Sequence, residues 1–167
     1  MIELGVKLLS GGLWVTPRLW NKNLGKLSRC VMLFDTGASM TTIDTSIANR
    51  SGISLKNTEP VKVHGVGGTI KGNVATVSEL WLGDMNVGSL AVNVIQFNKD
   101  SEVLAVLGMN VIKEFRVQID LQKKSKGNDG TIFLEPTFDI NDITNEKSFF
   151  PNYSRFGVWS LASRSAY

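Results

Sequence analysis

Cysteine and histidine are almost absent from this sequence of 167 residues, which contains only Cys30 and His64. One cysteine cannot form an intramolecular disulfide or a cysteine-based zinc site, and one histidine excludes a metal site with several histidine ligands. A single histidine also leaves no spare base for most catalytic arrangements that pair a serine or cysteine with a histidine. We therefore expect neither a bound metal nor a cofactor.

Long hydrophobic runs and a strong net charge are also missing. No apolar stretch reaches the length that spans a membrane, and the N-terminus lacks the charged start and apolar core of a signal peptide. The sequence therefore predicts a cytoplasmic protein that does not contact a membrane. The formal charge is +3, and the one basic cluster, Lys123, Lys124 and Lys126, precedes a turn at residues 127–130. This pattern is typical of a solvated hairpin loop, so we do not expect nucleic-acid binding.

The sequence is rich in the pattern of β-strands. Apolar residues alternate with polar ones at residues 2–8 and 115–121 and around a glycine-rich turn after residue 61, as in strands with one buried face. We expect only one or two short helices, one beginning at Asp44 or Thr45 and one after Gly108. With 43% hydrophobic residues, the chain can form one well-buried domain. We assign that domain to residues 1–135 and an aromatic-containing extension of uncertain role to residues 136–167.

One apolar run leads directly into a single carboxylate and a glycine. Residues 30–34 predict a strand covered on both faces, and Asp35, Thr36 and Gly37 follow it. Burying an unpaired carboxylate costs several kcal/mol, so such a group is usually functional or held by a dense hydrogen-bond network. We expect Gly37 to permit a sharp turn and its N–H to donate to the carboxylate, as the Thr36 hydroxyl could also do. The alternative interpretation is an ordinary Asx turn that caps a strand.

Two further stretches carry glycines in informative places. Alternating valines at residues 61–66 run into Gly65, Gly67 and Gly68, which predicts a hairpin with a thin, mobile tip. A phosphate-binding loop would need a lysine–threonine pair and the start of a helix, and neither follows. The third stretch, residues 103–115, predicts a buried strand that breaks at Gly108 into a short helix.

In this order and spacing, the three stretches resemble the retroviral-type aspartic peptidases, the retropepsin-like family. Asp35-Thr36-Gly37-Ala38 matches the catalytic loop of that family, and residues 63–68 match its flap. Residues 106–115 match its pattern of two apolar residues and a glycine followed by a helix. The resemblance covers about residues 28 to 122. It implies an all-β fold, a closed acid-protease-like barrel with one lobe per chain. It also implies cleavage of peptide bonds by a water molecule held between two carboxylates that share one proton.

The chain contains only one Asp-Thr-Gly sequence, and a two-lobed monomer would need about twice the length. Asp44 is followed by threonine and serine rather than by threonine and glycine, and Asp120 and Asp129 lack the preceding buried run. We therefore expect the second carboxylate to come from an identical chain. The two-fold axis of the homodimer would pass between the two copies of Asp35.

The resemblance also assigns roles to residues around Asp35. Thr36 is expected to bond the partner's loop across the two-fold axis, and Gly37 to offer its backbone to an extended peptide substrate that lies under the flap. The residues expected at the site are catalytic Asp35; loop-supporting Thr36, Gly37 and Ala38; substrate-binding or flap residues Ser39, Gly65, Val66, Gly67 and Gly68; and structural residues Val106, Leu107, Gly108 and Asn110.

Two departures from related patterns bear on the chemistry. Pepsin-like enzymes usually have a serine that bonds the catalytic carboxylate at the position of Ala38; losing that donor favours activity nearer neutral pH. Many retroviral enzymes have an acid at the position of Ser39 and an arginine at that of Met109. Because both partners of that pair are replaced together, the effect on stability can be nearly neutral. The replacement leaves two expectations of the resemblance without their usual residues, namely the polar contacts to the substrate backbone beside Ser39 and the bracing of the dimer.

Other functions remain open at this stage. The main alternative is a catalytically weak binding or dimerisation module with the retropepsin fold, and a weaker one is a basic interaction protein that uses the lysine loop. The extension could dock on its own domain, extend the dimer interface, or occupy the substrate groove until it is removed. We do not expect a disordered extension, because disordered segments are normally poor in aromatic residues. Of the other positions we favour docking or dimer contact over a removable segment.

Overall fold

The computed structural model describes residues 1–65, 68–124 and 127–137. Strands dominate this part of the chain, and the only helices in it are two short ones, so the predicted all-β class is confirmed. The elements are β1 (Ile2–Leu9), β2 (Gly12–Val15), β3 (Arg18–Asn21), β4 (Lys26–Arg29), β5 (Met32–Phe34), β6 (Thr42–Asp44), α1 (Thr45–Arg50), β7 (Glu59–Gly65), β8 (Gly68–Leu82), β9 (Met85–Ile95), β10 (Ala105–Leu107), α2 (Met109–Ile112), β11 (Phe115–Asp120) and β12 (Gly130–Pro136).

All twelve described strands belong to one hydrogen-bonded sheet. Its order is β11-β12-β1-β2-β5-β10-β6-β9-β8-β3-β4, and β7 pairs with β8 outside this path. We expected a closed barrel, and this expectation was wrong in one respect. The described strands do not close the sheet, because β11 and β4 form its two ends. Strand β4 has only four residues and begins and ends with the charged Lys26 and Arg29, features that disfavour further pairing at an edge.

The hydrophobic core lies inside this strongly folded sheet. Alternate residues of the strands point inward, and many are fully shielded from solvent, as Val6, Val15, Ile43 and Val77 illustrate with 0% exposure. Both helices contribute apolar side chains to the same cluster. Because long-range strand pairs bury these side chains together, the core fixes the positions of the loops between the strands.

Strand β5 is shorter than the run from which it was predicted. It begins at Met32, and Val31 before it is 55% exposed. Within the strand, Met32 and Phe34 are buried and Leu33 is half-buried. β5 lies between β2, with which it is antiparallel, and β10, with which it is parallel. It is therefore an interior strand of the sheet, as predicted.

Helix α1 begins where the sequence places its cap. The Asp44 carboxylate accepts hydrogen bonds from the backbone N–H of Ser46 at 2.8 Å and of Phe97 at 2.9 Å. Burial alone would raise the pKa of Asp44, but these bonds, with one from Thr45, lower it below its usual range. Gly52 has a φ of +67° just beyond the helix, a left-handed conformation that terminates helices. Asp44 is thus a structural carboxylate.

The C-terminal part of the described chain forms the predicted hairpin. β11 and β12 pair in antiparallel register, and β12 also pairs with β1. Lys123, from the basic cluster, forms an exposed ion pair with Glu3 at 2.9 Å. Lys126 and residues 138–167 lie outside the described residues, so the division of the chain at residue 135 stays a prediction. Neither described helix is long and apolar enough to cross a membrane.

Candidate active site

Strand β5 carries Asp35 to the end of an interior strand. The strand ladder continues into the loop, because the backbone N–H of Asp35 donates to the carbonyl of Leu107 at 3.1 Å. In the single chain the Asp35 side chain is half-buried, whereas Thr36, Gly37 and Ser39 are exposed. The carboxylate therefore stands at the boundary between the core and an open face of the protein.

The loop after Asp35 folds back on the carboxylate. Gly37 N–H donates to Asp35 Oδ1 at 2.8 Å, as predicted, and Ala38 N–H donates to the carbonyl of Asp35 at 3.3 Å. This local geometry is that of an Asx turn, which was the alternative interpretation of the motif. We suggested that the Thr36 hydroxyl could donate to the Asp35 carboxylate. It does not do so, and it donates to no other group within the described part of the chain.

Gly37 affects the site in a way other than the one we expected. Its φ lies outside the left-handed region, so the turn does not need the conformational freedom of glycine. A Cβ atom at this position would instead lie 3.1 Å from Asp35 Oδ1, closer than ordinary van der Waals contact. The absence of a side chain keeps one side of the carboxylate open.

The segment after β10 supports the Asp35 loop through backbone hydrogen bonds. Met109 N–H donates to the carbonyl of Ala38 at 2.7 Å, and Asn110 N–H donates to the carbonyl of Ser39 at 3.1 Å. Gly108 permits this close approach, because a Cβ there would lie 2.5 Å from the carbonyl carbon of Met40. These backbone bonds hold the loop although the ion pair of many retroviral enzymes at positions 39 and 109 is absent.

Asn110 is the side chain that joins the two segments. It is buried, and its Oδ1 accepts hydrogen bonds from the backbone N–H of Thr41 at 2.7 Å and from the Thr41 hydroxyl at 2.8 Å. Its Nδ2 donates to the carbonyl of Ala91 at 3.1 Å, and the Thr41 hydroxyl in turn accepts from Gly108 N–H at 3.2 Å. Asn110 thus links the chain that leaves the Asp35 loop to β9 and α2.

Strands β7 and β8 form the predicted flap hairpin. The register pairs Val63 with Ile70, His64 with Thr69, and Gly65 with Gly68. Successive pairs face opposite sides of a hairpin, so the first and last of these pairs face Asp35, whereas His64 bonds Thr69 at 2.8 Å on the outer side. Val66 and Gly67, which we expected at the tip, lie outside the described residues. Gly68 has a φ of +112°, which only glycine adopts readily.

A cavity of about 190 Å³ separates the flap from the Asp35 loop. Five residues from the predicted set line it: Asp35, Ala38, Gly65, Gly68 and Val106. The other predicted residues that the structure describes do not line the cavity. Thr36, Gly37 and Ser39 are exposed beside it, and Leu107, Gly108 and Asn110 support the loop.

Val63, from the stretch matched to the flap, also lines the cavity, and four residues that the sequence analysis missed complete its wall: Thr42, Ile70, Ile95 and Phe97. For Ile70 the alternation of strand residues offered a signal, because Ile70 shares a face of the hairpin with Gly68. No comparable signal connects β9 with Asp35. Asp35 is the only ionisable residue among those that line the cavity, so any acid–base chemistry there by described residues of one chain depends on one carboxylate.

The other aspartates that the sequence analysis considered accept hydrogen bonds from backbone N–H groups and have structural roles. Asp44 caps α1, Asp120 Oδ1 accepts from the backbone N–H groups of Gln122 and Lys123, and Asp129 Oδ2 accepts from that of Leu8. None of the three lines the Asp35 cavity. A single chain therefore offers no second carboxylate there from its described residues.

An all-β chain with an aspartate loop beneath a glycine-tipped hairpin has the architecture of an aspartic protease lobe. The aspartyl protease family model matches residues 23–111, which include the Asp35 loop, the flap and Gly108. This chain belongs to that aspartyl protease family. No curated protein matches the sequence.

Among solved structures, the chain is similar to a retropepsin-like aspartic protease from Rickettsia conorii. The two share 19% sequence identity with a TM-score of 0.57, over 79% of this chain and 89% of that one. The likeness establishes the retropepsin-like fold, as the three sequence motifs predicted.

Proposed function

We propose that this protein is an aspartic endopeptidase whose active site is completed by two copies of Asp35, one from each chain of a homodimer. The observation that carries the proposal is the position of Asp35: its carboxylate lines a cavity bordered by the flap, in a loop supported by α2. Membership of the aspartyl protease family supports a protease-type function.

The need for a second copy follows from counting carboxylates. Aspartic proteases use two carboxylates that share a proton, since two like charges about 3 Å apart cannot both ionise easily. Among the described residues that line its cavity, Asp35 is the only acid. The side on which Thr36 and Gly37 are exposed is open to a second chain, and a two-fold axis there would bring the two aspartates together. The Thr36 hydroxyl would then bond the partner's loop.

The proposed mechanism uses water as the nucleophile. The ionised member of the pair takes a proton from the water as its oxygen attacks the scissile carbonyl carbon, and the protonated member donates its proton to the carbonyl oxygen. The leaving nitrogen is protonated as the C–N bond breaks, so no covalent enzyme intermediate forms. The pH profile would report the pair rather than either Asp35 alone.

The substrate would be a protein or peptide segment in extended conformation. It would lie between the Asp35 loop and the flap, adding as a strand through main-chain hydrogen bonds. The cavity beside Asp35 is bounded by Val63, Ile70, Ile95 and Phe97, so an apolar side chain next to the scissile bond fits it best. Closure of the flap over the peptide would exclude water from the reaction. We place this activity in the cytoplasm, on the sequence pattern alone.

The test compares Asp35→Asn with the wild type on an unstructured protein substrate from mildly acidic to neutral pH. Asp35→Asn should keep its circular dichroism spectrum and lose turnover, and a statine-type inhibitor should block the wild type. Asp84→Asn is the matched control, because Asp84 is an exposed aspartate at a turn, and it should stay fully active. Equal activity of Asp35→Asn and the wild type would refute the proposal that Asp35 is catalytic. An inactive wild type would favour the alternative function, a binding or dimerisation module.

A further inference from the structure

A second cavity, of about 590 Å³, lies outside the Asp35 site. It is a groove bounded by β2, β3, the chain before β5, helix α1 and the loop before β10, and it shares no lining residue with the Asp35 cavity. Its volume falls in the range of ligand sites, roughly 300 to 1,000 Å³. The catalytic proposal gives this groove no role.

The groove presents apolar surface at both its floor and its rim. Trp14 and Ile47 are 8% and 9% exposed at the floor, whereas Leu24, Val31 and Leu104 are 60%, 55% and 39% exposed at the rim. A third of the nine large hydrophobic side chains that the described structure leaves exposed thus border one groove. Exposed apolar residues gathered around a concave surface mark a site of contact, whereas single ones do not.

The charges at the groove favour an acidic neighbour. Arg29 and Arg50 line it together with one acid, Glu102, whose carboxylate already accepts a hydrogen bond from the Ser10 hydroxyl at 2.7 Å. Neither arginine forms a salt bridge with another residue in the described part of the chain. A segment that combines aromatic side chains with carboxylates would complement this groove.

We propose that the C-terminal segment of this chain, residues 149–159, occupies the groove. This segment contains five aromatic residues within eleven positions: Phe149, Phe150, Tyr153, Phe156 and Trp159. Segments that remain unfolded are normally poor in aromatic residues, because burying such side chains offsets the entropy of ordering. The segment itself carries Arg155 and no acid, so the negative charge that the two arginines attract would come from the stretch before it, residues 138–148, which has three acids and one lysine.

The connection is long enough to reach most of the surface of the domain. Thr137 is held at the end of β12 by two hydrogen bonds to the carbonyl of Glu114, at 2.9 and 3.0 Å. The eleven residues 138–148 can span up to about 36 to 40 Å when extended. A compact domain of this size has a radius of gyration of about 14 Å and hence a diameter of roughly 37 Å. A chain that runs over the surface covers with this span about two-thirds of the roughly 58 Å between opposite poles, so residue 149 can reach most of the surface of the domain.

Hydrogen exchange of the full-length protein, followed by mass spectrometry, tests the proposal. Peptides that cover residues 149–159 should exchange at least tenfold more slowly than an unfolded chain of the same sequence. Leu24→Asp and Val31→Asp, which place a charge on the rim, should each return these peptides to the unfolded rate. Ile119→Asp is the matched control, because Ile119 is 44% exposed on β11 and does not line the groove, and it should preserve the protection. Exchange at the unfolded rate in the wild type would overturn the proposal.

Further variants separate this proposal from the other positions open to the segment. Protection that survives both rim variants but is lost in Ile70→Asp would put the segment in the Asp35 cavity and overturn the proposal. Protection that is lost in Ile119→Asp, or on dilution of the protein, would put it in a contact between chains and overturn it equally.

A disulfide test provides a second, independent readout in a Cys30→Ser background. Cysteine pairs at positions 31 and 150 should form an intramolecular disulfide under mild oxidation at least tenfold faster than pairs at 119 and 150. Equal rates for the two pairs would contradict docking in the groove. None of these outcomes depends on whether Asp35 is catalytic.

Discussion

Asn110 connects the segment that leaves the Asp35 loop with the segment that supports it, so its truncation is a direct test of how the site is held. Asn110→Ala would leave three buried groups without their partner: the N–H and hydroxyl of Thr41, and the carbonyl of Ala91. An unsatisfied buried polar group costs about 1–3 kcal/mol. Allowing for some rearrangement of the Thr41 hydroxyl, we expect a loss of about 3–5 kcal/mol in the free energy of unfolding.

Urea denaturation measures this loss. A decrease of about 3–5 kcal/mol is a large share of the roughly 5–15 kcal/mol that stabilises a typical domain, so the midpoint should fall steeply while the slope m is unchanged. Asn98→Ala is the matched control, since Asn98 is exposed and its side chain only accepts a long bond of 3.4 Å from Asp100 N–H. Its free energy of unfolding should change by no more than about 0.5 kcal/mol.

A double-mutant cycle identifies the partner. Thr41→Val removes the hydroxyl that donates to Asn110, so it should cost at least about 1 kcal/mol less in the Asn110→Ala background than in the wild type. Additive effects of the two substitutions, or a loss in Asn110→Ala no greater than that in Asn98→Ala, would refute the reasoning.

Two remaining predictions concern Gly108 and Asp44. Gly108→Ala should destabilise the protein by about 1–3 kcal/mol in urea denaturation and lower proteolytic activity, because the new methyl group would lie 2.5 Å from the backbone of Met40. Gly65→Ala is the control and should leave stability nearly unchanged, because nothing lies within 4 Å of its Cβ. Equal effects of the two substitutions would contradict the packing argument. Asp44→Asn should lower the free energy of unfolding by about 1–2 kcal/mol near neutral pH, since it disturbs the bonds from α1 and Phe97. The folded-state pKa of Asp44 lies below its ordinary value of 3.8, so this carboxylate stabilises the fold above that value and loses its contribution as the pH falls through the folded pKa. The difference in stability between the wild type and Asp44→Asn should therefore shrink below about pH 4, and a difference that stays constant down to pH 2 would refute the assignment.

Much of the fold could be predicted because its signals are local. Period-two alternation identified β1, the flap hairpin and β11, and the glycine at 108 correctly marked the break between β10 and α2. The cap of α1 could be narrowed to Asp44 or Thr45 for the same reason, since capping depends on neighbours within three residues.

The remaining features depend on contacts between distant parts of the chain. Asn110 and Thr41 are 69 positions apart, and no local pattern pairs them; only the resemblance suggested that Asn110 matters. Phe97 and Ile95 reach the cavity because β9 pairs with β6, a register that periodicity does not specify. Whether the sheet closes into a barrel could not be predicted from the sequence either, because closure depends on how strongly the strands coil.

The central claim, that one active site needs Asp35 from two chains, is tested most directly by mixing wild type with Asp35→Asn. After subunit exchange with a ninefold excess of Asp35→Asn, about nine in ten wild-type chains would be paired with an inactive partner. Activity per wild-type chain should then fall to about one-tenth, whereas a ninefold excess of Asp84→Asn, which is itself active, should raise the total activity about tenfold. Activity per wild-type chain that is unaffected by Asp35→Asn would contradict the account.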